Sequence, residues 1–97
     1  MADLPTSLPP GYLMYARSPD FTPENLPDAL RAGHTTKAGV WGLLRVTAGA
    51  VRFAMEPPRD EVVVARVGET VVIPTQLRHH VEFVEPGRFH VEFYRAS

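Results

Sequence analysis

The 97-residue sequence contains no cysteine, which excludes disulfides, thiolate metal ligation and thiol catalysis together. No two Lys or Arg residues are adjacent, and ten cations against eleven carboxylates leave a formal charge of −1. Binding to phosphate backbones needs clustered cations, so nucleic acid is not an expected partner. No apolar run approaches the roughly 20 residues that span a bilayer, which argues against a membrane partner. The opening Met-Ala-Asp-Leu-Pro-Thr lacks the basic and apolar parts of a signal peptide, so a cytoplasmic location is expected. Internal repeats, low-complexity tracts and linkers are also missing. So are a nucleophile elbow, a phosphate-binding glycine loop and a dinucleotide fingerprint.

What is present is punctuation. Ten prolines and seven glycines separate short apolar runs in a chain that is 44% apolar and 22% charged. A chain this long holds one core, and the pattern predicts one all-β domain over residues 1–97, with an extended arm at 1–10. Tyr12–Arg17 reads as a first strand. Thr22-Pro23-Glu24 resembles a helix start, interrupted by Pro27 and closed by Gly33, so a turn or two of helix fits. From residue 40 the period becomes two, with Val40, Gly42, Leu44 and Val46 on one face and Trp41, Leu43, Arg45 and Thr47 on the other. Ala48-Gly49-Ala50 reads as a turn leading back into Val51–Met55. Glu61–Val67 and Thr70–Ile73 are further strands. His79–Val84, Glu85-Pro86-Gly87 and Phe89–Tyr94 read as a closing hairpin. Seven or eight short strands suggest a sandwich or a closed barrel, since closure removes exposed edges.

Chemistry centres on His34, His79, His80 and His90, because imidazole is the commonest neutral metal ligand. If His79 points inward, Val81 and Phe83 do too, while His80 and Glu82 point outward; a bulge would reverse Glu82. His90, Glu92 and Tyr94 share a face opposite Phe89, Val91 and Phe93, and alternation leaves open whether that polar face meets a pocket or solvent. The alternative for His34 and His79 is a pair of structural or surface histidines. The aromatic residues read as core.

Gly68, Pro74, Gln76 and His79 are spaced as in the second cupin motif, with Gln76 where glycine is usual. His34-Thr-Thr-Lys-Ala-Gly-Val-Trp-Gly, Ile73-Pro74, His79-His80-Val81-Glu82 and Glu92-Phe93-Tyr94 together resemble the TehB/YeaR-like family of small cupins, from about Leu8 to Arg95. The resemblance implies a cupin-like double-stranded β-helix, or jelly-roll, barrel. In that family the domain stands alone or precedes a methyltransferase linked to tellurite resistance. The usual second histidine is replaced at Thr36 or Lys37, and the usual glutamate falls on Gly42. A site would therefore need His34 and His79 joined by Glu82, His90 or Glu92, holding a divalent metal such as zinc, with iron as the alternative.

The first expectation is thus a small metal-binding, stress-response cupin that is not a methyltransferase. It would handle a small molecule or an oxyanion. The others are a metal-dependent dioxygenase or isomerase, and a metal-free small-ligand module. A homodimer through an edge strand is also expected.

Overall fold

A computed structural model describes residues 8–57 and 60–96, with the backbone alone at His34. Most of the arm expected at 1–10 lies outside the described residues. The strands are β1 (Tyr12–Arg17), β2 (His34–Thr35), β3 (Trp41–Met55), β4 (Glu61–Arg66), β5 (Thr70–Ile73) and β6 (Arg78–Ala96), with one helix, α1 (Asp28–Ala32), between β1 and β2. All strand pairings are antiparallel, in the order β1-β6-β3-β4, with β2 on β6 and β5 on β3. This is a small all-β domain built on one six-stranded sheet.

The sequence places turns at Ala48–Ala50 and Glu85–Gly87, but the chain does not reverse at either. Each is a bend inside one long strand, and β3 pairs with β6 on both sides of it. Gly49, at φ +68°, meets Gly87 there. A Cβ on Gly49 would come within 2.9 Å of both the Glu85 carbonyl oxygen and the Gly87 Cα. Backbone lies against backbone, so the two strands bend together instead of parting.

The bend divides the sheet into halves. In one, β1 and β5 flank the C-terminal part of β6 and the N-terminal part of β3. In the other, β2 and β4 flank the remaining parts. Val46 pairs with Phe89 and Val51 with Phe83, five steps along β3 against six along β6. The one-residue difference flips β3: Gly42, Leu44 and Val46 are buried before the bend, and Val51, Phe53 and Met55 after it. Both halves therefore contribute to one core, with Leu44, Val46, Ile73 and Phe89 from the first meeting Phe53, Met55, Ala65 and Val81 from the second. The expected closure into a barrel is corrected here, because the pairing order ends at β1 and β4, which do not pair with each other among the described residues.

The residue 18–33 segment closes one side of this core. Phe21 pairs with Phe89 through backbone hydrogen bonds of 2.7 and 3.1 Å, and their rings pack at 5.4 Å. Thr22–Asn25 forms a turn, held by Thr22 N–H donating to the Asn25 side chain at 2.6 Å, rather than the helix start read from the sequence. The helix begins one proline later, with Pro27 in the cap position, and ends at Gly33. α1 buries no residue, but Leu30 packs on the core, as does the buried Leu26 four positions earlier.

Candidate functional site

The space beneath α1 is a cavity of about 260 Å³. Its floor is the inner sheet face, with Ile73 from β5 and His79, Val91 and Phe93 from β6. Its roof is Phe21, Pro27, Ala29 and Leu30, and Ser18 and Thr36 stand at its sides. Burial of the polar lining is compensated. The Thr36 hydroxyl donates to the Pro74 carbonyl at 2.8 Å, and Ser18 Oγ accepts from the Val91 N–H at 2.9 Å.

His79 is 3% exposed and stacks on Phe53 with ring centroids 5.0 Å apart. Its Nδ1 lies 2.9 Å from the Leu77 carbonyl oxygen. A carbonyl only accepts, so Nδ1 carries the proton and donates. The ring is thereby fixed in one orientation in the cavity floor.

A second recess, of about 300 Å³, adjoins the cavity at Thr36 and Phe93. Tyr15, Thr35, Lys37 and Val40 complete its lining. Lys37 hangs from a turn in which its carbonyl accepts from Val40 N–H at 3.0 Å and from Thr75 Oγ1 at 2.9 Å. Gly39, two residues on, takes the φ of +78° that a type II turn requires.

The residues expected to ligate a metal are not assembled as one. The His34 backbone pairs with His79, while the His34 side chain lies outside the described residues. Glu82 is on the outer face of the sheet, paired with Arg52 at 3.2 Å and 57% exposed. His90 is buried, but on the face of β6 opposite Phe89 and Val91. There its Nε2 donates to Glu92 at 3.2 Å, and its Nδ1 is 3.8 Å from Asp20. His79, Glu82 and His90 thus occupy separate environments, and no three metal-ligating side chains converge among the described residues. The expected divalent metal, and with it the zinc or iron cupin and the dioxygenase or isomerase alternative, is corrected: the described residues hold no group of three potential ligands, and the relatives reported below are named as methyltransferases.

The outer face carries a cluster of its own around Glu92. Its carboxylate accepts from Arg45 Nε at 2.9 Å and from the Tyr94 hydroxyl at 3.1 Å, besides His90. Burial is the largest single influence on this carboxyl and raises its pKa, but the hydrogen bonds from Arg45, His90 and Tyr94 together outweigh it and hold the group below its ordinary value. Glu56 is also lowered, by hydrogen bonding to His80 and then to Arg78. The sequence reading placed His90 and Glu92 on one face but did not pair them with Arg45, which depends on the β3–β6 register. It also passed over the roof residues Phe21, Ala29 and Leu30, whose one signal was the spacing of Leu26 and Leu30.

Residues 16–91 match the TehB-like domain. The chain belongs to the TehB-like family. It is 32% identical over 78 residues to the "Probable S-adenosyl-L-methionine-dependent methyltransferase TehB" of Haemophilus influenzae strain Rd, and to its counterpart in strain 10810. The match covers 80% of this chain and 25% of either relative, so the chain spans about a quarter of the length of the curated relatives it matches. A crystal structure of an E. coli K12 protein superposes with a TM-score of 0.85 at 23% identity, over 94% of this chain and 97% of that one. The crystal structure of H. influenzae TehB superposes with a TM-score of 0.80 at 24% identity, over 90% of this chain and 32% of that one. The expectation of a small metal-binding, stress-response cupin that is not a methyltransferase is corrected, because the curated relatives are named as S-adenosylmethionine-dependent methyltransferases.

S-Adenosylmethionine itself does not fit the cavity. The acidic residue that holds a ribose diol in nucleotide sites is missing: among the described residues neither the cavity nor the adjoining recess is lined by a carboxylate. Among the described residues no helix is long and apolar enough to cross a membrane.

Proposed function

We propose that this chain is an accessory domain of a methyltransferase system, holding a small, largely apolar molecule beneath α1 while S-adenosylmethionine is bound and used in a separate catalytic unit. The observation that carries this reading is one of proportion. The chain matches a quarter of the methyltransferase relatives, and its own cavity lacks the groups that S-adenosylmethionine requires. At about 260 Å³ the cavity lies just below the range of roughly 300–1,000 Å³ typical of drug-sized ligands, which suits a small acceptor or effector.

The test is methyl transfer from labelled S-adenosylmethionine, using the H. influenzae TehB catalytic region without its own β-domain. The chain alone neither transfers methyl groups nor binds S-adenosylmethionine. Added in trans, it raises kcat/KM for acceptors that fit the cavity, and Ala29→Trp, which fills the space under α1, removes the gain. Tight binding of S-adenosylmethionine to the chain, or stimulation that the filled variant retains, refutes the proposal.

A further inference from the structure

The cavity and the recess beside it differ in chemistry. Apart from His79, whose Nδ1 is turned to the Leu77 carbonyl, the residues lining the cavity carry no titratable side chain, and Phe21 and Phe93 present rings to it. An ionised group placed there would lose its hydration without a compensating charge. The recess has Lys37 and the hydroxyl-bearing Thr35 and Tyr15. Arg17, Arg45, Arg52, Arg66 and Arg78 each lie against a carboxylate. Among the described residues Lys37 has none, as Arg31, Arg88 and Arg95 have none, but of these four only Lys37 lines the recess.

The edge strand also departs from regularity beside the recess. β1 pairs Met14 with Tyr94 and Ala16 with Phe93, so Tyr15 between them is a bulge without a partner on β6. A bulge re-aims the side chain it carries. Here Tyr15 lines the recess beside Phe93, with the Arg95 guanidinium 4.2 Å from its ring centre.

Resting on the reading of the cavity as a ligand-holding site, we propose that its ligand is a small amphipathic carboxylate, with its aryl or alkyl end beneath α1 and its carboxylate at Lys37. Thr36 and Phe93 border both spaces, and the molecule passes between them. An inorganic oxyanion meets Lys37 but leaves the apolar chamber unfilled. A neutral hydrocarbon fills the chamber but makes no use of the cation.

The experiment is an amide chemical-shift titration of the full chain with 3-phenylpropionate, 3-phenylpropanol and inorganic phosphate. The carboxylate shifts Thr36, Lys37, Val91 and Phe93 in one saturable event. The alcohol binds about two- to five-fold more weakly, the range expected for a partly solvated ion pair, and the difference shrinks with added salt. Lys37→Gln brings the carboxylate down to the affinity of the alcohol and leaves the alcohol unchanged. Phosphate alone does not saturate Val91 or Phe93. Equal binding of acid and alcohol, an unaffected acid in Lys37→Gln, or no binding of either probe overturns the inference. All of these readings are made without a methyltransferase. Failure of the carboxylate thus stays separable from failure of the accessory-domain reading, which the methyl-transfer assay decides.

Discussion

Glu92→Gln tests the outer-face cluster directly. The amide keeps the shape of the side chain but loses its charge, and it offers one acceptor oxygen where the carboxylate offers two. Three donors then compete for what is left: Arg45 at 2.9 Å, Tyr94 at 3.1 Å and His90 at 3.2 Å. Arg45 is 44% exposed and recovers most of its loss from water, so its share is about 0.2–1 kcal/mol. The His90 side chain is 10% exposed and has little access to water. Its bond and that of Tyr94 are worth about 0.5–1.5 kcal/mol each.

A loss of about 2 kcal/mol follows at neutral pH, which for a domain of this size lowers Tm by roughly 8–16 °C. The Glu92 carboxyl is held below its ordinary value near 4.5, so it stabilises the fold above that pH and ceases to do so as pH falls through its folded value. Urea unfolding of both proteins between pH 8 and pH 3 should therefore show a gap that narrows in acid. A gap under about 0.5 kcal/mol at neutral pH, or one that persists unchanged in acid, refutes the account of Glu92 as the centre of the cluster.

Three further substitutions probe the frame. In Gly87→Ala the new Cβ overlaps the Ala48 carbonyl and sits 2.7 Å from Gly49 Cα, so the urea midpoint should fall by the equivalent of at least about 2 kcal/mol. Gln76→Gly should stabilise the domain by about 0.5–1 kcal/mol in the same assay, because Gln76 sits at φ +56°, where a side chain costs about 1–2 kcal/mol and glycine loses only part of that in entropy. Phe89→Ala removes a fully buried ring packed on Phe21 and Phe83; a loss of about 3–5 kcal/mol, read by calorimetry, leaves the domain close to unfolding.

Much of the sheet was legible because alternation is local. Gly42, Leu44 and Val46 share a buried face, and His79 and Val81 point inward as their spacing predicts. The two bends were not legible. Ala48-Gly49-Ala50 and Glu85-Pro86-Gly87 have the composition of turns, and only the approach of Gly49 to Gly87 makes them bends in paired strands. Gln76 could be read in part: the position where glycine is usual does adopt a left-handed backbone. The surroundings of the histidines were hidden for a similar reason. Which histidine meets which carboxylate depends on register and on which face each strand turns inward. His90 joined Arg45 and Glu92 on the outer face, while His79 faced the cavity.

Because β3 and β6 each run through both halves of the sheet, neither half possesses a complete set of strands of its own. Releasing one half would strip its neighbour of two central strands, so partial opening offers no stable resting point. The domain should unfold as a single cooperative unit. Backbone amides of Leu44 and Phe53, on opposite sides of the bend, should exchange their hydrogens with the same opening free energy. Slow assembly follows from the same arrangement, since β3 meets β6 only across the whole β4–β5 excursion, Met55 pairing with His79 in one half and Leu44 with Val91 in the other.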